Sequence, residues 1–320
     1  MTEPLPQLSQ MRCAVLGAGG FLGTNLCREL QPQVASVRAF GRRQSFPSAL
    51  IGVEWIPGDF TEPTSVATAI SGCDTVFHLV NATTPASANI DKLADLQSNV
   101  APTLRLLEAC REAGVKRVIF ISSGGTIYGL PKQVPTPESA PTDPITAYGI
   151  SKLAIEKYLG LYEYLHGLQY RVLRVANPFG PYQTALKSQG VIAAFMHQCA
   201  SREPIHIWGD GSSVRDYVYV TDVVDAMLAA AQHQGPSRVF NIGGGQGRSL
   251  LDILDVIKRV SGTTPEIQFS PSRSVDIPRS ILDISLASQE LGWTPQTTFD
   301  EGMQRTWAWA IAQYQDGIPN

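Results

Sequence analysis

The sequence predicts an α/β protein, a doubly wound parallel sheet followed by a smaller C-terminal domain. Three observations carry this. Short runs rich in β-branched residues alternate with amphipathic stretches up to about residue 176. A glycine-rich turn lies between the first such run and the first helical stretch. Beyond residue 176 the alternation gives way to an irregular, Pro-rich texture.

The elements follow in order. Residues 1–10 are polar and Pro-rich and are expected to be a disordered lead-in. Strands are expected at 12–17, 34–40, 53–56, 75–80, 117–122 and 171–175, and helices at 21–30, 91–113 and 147–166. In 91–113, Leu93, Leu96, Val100, Leu104 and Leu107 recur at the spacing of one helix face. Parallel strands joined by helices place helices on both faces, with the crossover hand set by sheet twist. Asn177-Pro178-Phe179-Gly180-Pro181 and Trp208-Gly209-Asp210-Gly211 are loops of turn-formers. Residues 11–176, with 217–244 returning, make the larger domain. Residues 177–216 and 245–320 make the smaller one, which closes with a helix around Thr306.

Composition narrows the class. The 320 residues are 43% hydrophobic, enough to bury a sizeable core. Net charge is −3 with both signs scattered, so neither a nucleic-acid nor a membrane partner is expected. An anionic ligand must then be held by local groups. The five cysteines (Cys13, Cys27, Cys73, Cys110, Cys199) form no CxxC pair and read as reduced thiols. No apolar run approaches the roughly 20 residues that span a bilayer, and the N-terminus lacks an apolar signal core. A cytoplasmic protein without a metal is expected.

Gly17-Ala18-Gly19-Gly20-Phe21-Leu22-Gly23 follows the first strand and opens the first helix, with Gly17, Gly20 and Gly23 in GxxGxxG spacing. A diphosphate needs a tight turn, closely approaching backbone N–H groups and a helix N-terminus. This predicts a Rossmann-like dinucleotide site with NAD(P) as cofactor. At the end of the second strand an acid would bind the ribose diol of NAD. Here Gly41-Arg42-Arg43 stands instead. Gly41 leaves room and the arginines favour the 2′-phosphate of NADP by charge and planar donors. The alternative is a pair of solvated loop arginines. Asp59, after Pro57-Gly58, either reaches the adenine or forms a turn. Tyr148 and Lys152 lie four apart on one helix face. A neighbouring ammonium favours the phenolate, which suits proton removal from a sugar hydroxyl.

At these residues the sequence resembles the extended short-chain dehydrogenase/reductases of the NAD-dependent epimerase/dehydratase type, closest in pattern to the UDP-glucose 4-epimerases. The pieces that match are the turn at 17–23, GDF at 58–60, FHL at 77–79, Asn99 in QSNV and ISSGGTIYG at 121–129. Tyr148-Gly149-Ile150-Ser151-Lys152, NPFGP at 177–181, VRDYVYVTDV at 214–223 and Leu291-Gly292-Trp293 continue the match. The resemblance implies that Tyr148 is the acid/base and that Lys152 binds the nicotinamide ribose. It places Phe21, Leu22, Phe60, Leu79, Asn99, Ser122 and Pro178 at the cofactor. It implies that Asn177 touches the sugar or phosphates, that Arg215 and Arg273 clamp the diphosphate, and that Asp276 holds the nucleotide ribose. An ion pair with Asp216 or Asp222 is the alternative for Arg215. A homodimer through the two long helices is also implied, with Leu96, Leu104, Leu153, Leu161 and Leu165 as candidates.

Three positions depart from the pattern. The Ser or Thr usual four residues before Tyr128 is Gly124, so Ser123 or Thr126 must substitute. Gly41-Arg42-Arg43 replaces the acid. Val80-Asn81 replaces a small pair, and Asn81 is a cofactor candidate. The functions implied are a nucleotide-sugar C4 epimerase on a UDP-hexose or UDP-N-acetylhexosamine, or an NADPH-dependent 4-keto-sugar reductase. A non-catalytic NADP sensor is the third.

Overall fold

The computed structural model describes residues 6–184, 190–271 and 277–315. The chain opens with β1 (Arg12–Leu16), β2 (Ser36–Gly41), β3 (Glu54–Pro57), β4 (Thr75–His78), β5 (Arg117–Ser123) and β6 (Gln169–Val175). It continues with β7 (Asn177–Phe179), β8 (Ile205–Trp208), β9 (Val214–Tyr219) and β10 (Val239–Ile242). β11 (Gly247–Ser249), β12 (Ile267–Ser270) and β13 (Arg279–Ser280) complete the strands. Seven strands form one sheet in the order β10-β6-β5-β4-β1-β2-β3, every neighbour parallel. The order reverses between β1 and β4, which opens a crevice at their C-terminal ends where ligands of such sheets bind.

Both sheet faces are buried, and successive residues alternate between them. Cys13, Val15, Ile119 and Ile121 pack on one side with Leu26 of α1 (Phe21–Leu30). Ala14, Leu16, Val118 and Phe120 pack on the other with Val66 of α2 (Pro63–Ile70). The remaining N-terminal helices are α3 (Pro85–Ile90), α4 (Lys92–Asp95), α5 (Ala101–Glu112) and α6 (Ala147–His166). Then come α7 (Val191–Ser201), α8 (Val220–Gln232), α9 (Leu250–Ser261), α10 (Ser285–Leu291) and α11 (Phe299–Gln315). Val223, Val224 and Met227 of α8 join the first face of the sheet. A third core holds Phe195, Ile207, Tyr217, Ile253 and Met303, between α7, α9, α11 and the small sheets β11-β9-β13 and β12-β8. All five cysteines are buried and unpaired.

Several expectations are revised: the loops expected at 177–181 and 208–211 begin within strands, β7 covering Asn177–Phe179 and β8 ending at Trp208. The lead-in forms a 3₁₀ turn at Leu8–Gln10, and Leu8 packs on the first core. The helix expected over 91–113 is interrupted by a π-turn at Leu96–Val100. Pro102 lacks an N–H and its ring would meet the carbonyl four residues back, which a widened turn relieves. Finally, α2 and α3 fill stretches in which no helix was expected. Among the described residues, no helix is long and apolar enough to cross a membrane.

Candidate active site

The glycine turn sits at the reversal of strand order. Gly17 has φ +89° and, with Ala18, donates to the Phe40 carbonyl at 2.9 and 3.1 Å. A Cβ on Gly23 would collide with the Gly17 carbonyl oxygen, so α1 can approach the turn only with glycine there. A Cβ on Gly17 would lie 3.1 Å from the backbone of Leu79 and Val80, which places the end of β4 against the turn. Gly20 precedes α1 with no side-chain cap. The first N–H groups of that helix are therefore left for an anion. Phe21 and Leu22 pack towards the third core.

The Tyr148–Lys152 pair stands at the same end of the sheet. The Thr146 hydroxyl accepts from the Gly149 N–H at 3.1 Å and so starts α6, placing Tyr148 in its first turn. Lys152 is buried, donates to the Ile121 carbonyl at 2.9 Å, and lies 5.7 Å from the Tyr148 ring centre. Burial lowers its ammonium to about 8, against the opposing pull of Asp95 and Glu156. Burial first, and then Asp95, push the Tyr148 hydroxyl up to about 12. This reverses the lowered value expected from the ammonium alone. Asp95 is a buried carboxylate that accepts from Ser151, Asn99 and Thr83.

The same network includes Asn99. Its amide oxygen accepts from the Ala82 N–H at 2.9 Å and its amide nitrogen donates to Asp95, so it braces the loop after β4. Asn81 is exposed and donates to the Thr83 carbonyl. Phe60 is buried against His78 in the second core. Asp59 closes a local turn, accepting from the Thr61 N–H at 2.8 Å and its hydroxyl at 2.7 Å. Those bonds hold its carboxyl below the usual range. Arg42 and Arg43 are exposed at the end of β2. The room expected beside Gly41 is narrowed by Trp55, whose Cη2 would lie 3.2 Å from a Cβ there.

Gly124 has a structural explanation. A Cβ there would collide with Leu282 Cδ1 and come 3.0 Å from the Arg174 carbonyl oxygen. A serine at this position fits only if the Leu282 side chain moves aside. The hydroxyls of Ser122 and Thr126 are both buried with no partner among the described residues; Thr126 and Ser123 are each half-buried as residues, Ser123 at the end of β5. The Thr126 carbonyl oxygen would lie 2.8 Å from a Cβ on Gly149, which sets Thr126 against the first turn of α6. Thr126→Ala is therefore expected to lower turnover about tenfold or more, the scale of one lost hydrogen bond in the transition state. Ser123→Ala is expected to be nearly silent. Steady-state kinetics of the two variants check this, and the reverse order would transfer the role to Ser123.

A cavity of about 340 Å³ lies in the C-terminal half, at β7. Asn177, Pro178, Arg215, Tyr217, His206 and Trp208 are among its lining residues. The Asn177 amide donates to the Asp216 carbonyl at 2.8 Å, and the Arg215 guanidinium donates to the Val214 carbonyl at 2.9 Å. The Asp216 carboxylate accepts instead from the N–H groups of Gly244 and Leu282, and Asp222 from those of Gln296 and Thr297. Burial raises Asp216 to about 7 against those bonds. Arg273 and Asp276 lie outside the described residues.

Sequence reasoning missed Asp95, Trp208, Trp55 and Glu156. Glu156 was findable, since Tyr148, Lys152 and Glu156 repeat every four residues on one face.

Residues 13–243 match the model of the NAD dependent epimerase/dehydratase family. The UDP-glucose 4-epimerase of Mycolicibacterium smegmatis is 35% identical over 307 residues, covering 92% of this chain and 97% of that relative. A dTDP-4-dehydro-6-deoxyglucose reductase of Escherichia coli is 30% identical over 303 residues, covering 91% and 95%. The crystal structure of the Thermotoga maritima UDP-glucose 4-epimerase with UDP-glucose is similar at a TM-score of 0.90 and 34% identity, over 96% of this chain and 100% of that one. Glycine turn, Tyr148–Lys152 pair and these similarities over almost the whole chain agree: the chain belongs to the NAD dependent epimerase/dehydratase family.

Proposed function

We propose that the protein is a nucleotide-sugar C4 epimerase acting on a UDP-hexose or UDP-N-acetylhexosamine through a transient 4-keto sugar. The observation that carries this is the placement of Tyr148 and Lys152 at the C-terminal end of the sheet, where the glycine turn also lies and where the Thr126 backbone packs on the first turn of α6. The larger unit, 11–176 with 217–244, holds the cofactor, and 177–216 with 245–320 holds the nucleotide sugar.

The glycine cradle, the uncapped start of α1 and the orphaned hydroxyls of Ser122 and Thr126 fit a nicotinamide dinucleotide. When bound, it supplies a hydride acceptor and a positive charge near Tyr148. Tyr148 moves the proton of the C4 hydroxyl at its phenolic oxygen. Its raised pKa keeps that oxygen protonated in the free protein, in the form that returns a proton to a keto oxygen. Lys152 favours the opposite, phenolate form by its charge. Asn177 and Arg215 hold the diphosphate, with Trp208 and Tyr217 flanking the base. The sugar then turns about a fixed anchor and offers either face to the same tyrosine. The exposed Arg42 and Arg43 support NADP(H) in preference to NAD(H).

A homodimer is supported by apolar side chains exposed on the Lys92–Val100 turns and α6: Leu93, Leu96, Leu161, Leu165 and, at 87%, Tyr164. Leu104 and Leu153 are half-buried. The second reading is an NADPH-dependent 4-keto-sugar reductase, favoured by Gly41-Arg42-Arg43 and by the reductase relative. A panel of nucleotide sugars, incubated with and without NADPH and read by NMR, separates the two. Interconversion of C4 epimers without added reductant is expected; steady NADPH consumption by a 4-keto sugar identifies the reductase. Light scattering of the same preparation is expected to give a dimer, and a monomer at micromolar concentration removes that part.

A further inference from the structure

We propose that Trp55 is a specificity-determining residue of the cofactor site, whose indole edge occupies the space that a ribose-binding acid at position 41 would need. The proposal rests on the dinucleotide reading of the glycine turn.

Trp55 lies on β3, which pairs with β2 in the register Ala39↔Trp55 and Gly41↔Pro57. A Cβ on Gly41 would come 3.2 Å from Trp55 Cη2 and 3.7 Å from Cζ2. A Cβ on Gly19 would come 3.2 Å from the same Cη2 and would collide with the Arg43 carbonyl oxygen. One indole edge therefore packs on both the glycine turn and the end of β2. The ring also packs on the first core, which holds it in that place.

An acid at position 41 would set its Cβ 3.2 Å from the ring edge, a contact too tight unless the ring gives by a few tenths of an ångström. The ribose diol of a bound NAD would then meet an apolar edge where an acceptor would otherwise stand. A 2′-phosphate instead has the exposed Arg42 and Arg43 at the rim. Gly41 and Trp55 thus act as a complementary pair, small beside large, and neither substitution alone creates a diol site.

The test is a double-mutant cycle read by calorimetric titration with NAD and with NADP. Gly41→Asp is made in the natural chain and in two backgrounds with a smaller side chain, Trp55→Val and Trp55→Phe. Far-ultraviolet circular dichroism melts check that all variants fold, and the second background serves if the first does not. Gly41→Asp is expected to change NAD affinity less than threefold while Trp55 is present. In the Trp55→Val background, where the ring no longer fills the space, it is expected to improve NAD affinity about tenfold or more. An equal gain in both backgrounds overturns the proposal, as does a tenfold gain from Gly41→Asp alone. The NADP preference is read separately, from the unsubstituted protein: tighter NAD binding there removes that preference and leaves the coupling between positions 41 and 55 to stand or fall by the cycle.

Discussion

Tyr148→Phe is expected to lower turnover by about a hundredfold to ten-thousandfold, the range contributed by a positioned general acid or base. The substitution keeps the ring, and with it the packing 5.7 Å from the Lys152 ammonium. The Thr146 cap on α6 is untouched. Only the proton-carrying oxygen is lost, so binding of cofactor and of UDP is expected to stay within a few fold. Product formation by NMR and calorimetric titration with UDP make the two readings. Near-normal turnover removes Tyr148 from the chemistry. Loss of both turnover and binding makes its role structural.

The largest effect on stability is expected further along α6. Glu156 and Arg174 form a bidentate pair at 2.7 and 3.1 Å, with side chains 5% and 6% exposed. Burial opposes the Arg174 charge, and the hydrogen bonds and charge of Glu156, with a contribution from Tyr128, together outweigh it, leaving the guanidinium above its ordinary value. Glu156→Gln leaves that charge buried without its counter-ion, which costs about 3–5 kcal/mol. Urea unfolding measures this, and an unchanged midpoint rejects it. Replacing both partners with leucine is expected to cost less than either single change, because no charge is then stranded. The Glu156→Gln variant also carries a catalytic signature. Glu156 raises the Lys152 ammonium, which burial holds near 8. Without Glu156 the ammonium deprotonates at lower pH, so the alkaline limb of kcat/KM is expected to move to lower pH. An unmoved limb means that Lys152 does not set it.

How much of this was legible depended on the range of the interaction. The helix at 147–166 was readable to its ends, because Thr146 caps it and Gly167, at φ +71°, stops it. The glycine turn was readable because its chemistry demands glycine at fixed spacing. The break at Leu96–Val100 left a local sign, Pro102, that the apolar stripe masked. Asp95 sat among exposed positions of that stripe, and its burial follows from Ser151 and Thr83, distant in sequence. The fit of glycine at position 124 depends on Leu282, distant in sequence, packing beside it. Trp55 against Gly41 depends on the register of β2 with β3. Trp208 was read as part of a loop, since short strands of the C-terminal half carry little periodicity.

The central claim, oxidation and reduction at one sugar carbon on one bound cofactor, is tested most directly by the fate of the hydrogen on that carbon. A UDP-hexose deuterated at C4 is incubated with the protein in ordinary water without added reductant, and the product is read by NMR and mass spectrometry. The account predicts the C4 epimer with its deuterium retained at C4. An epimer that has exchanged that deuterium for solvent hydrogen, or no epimer from any nucleotide sugar offered, would contradict it.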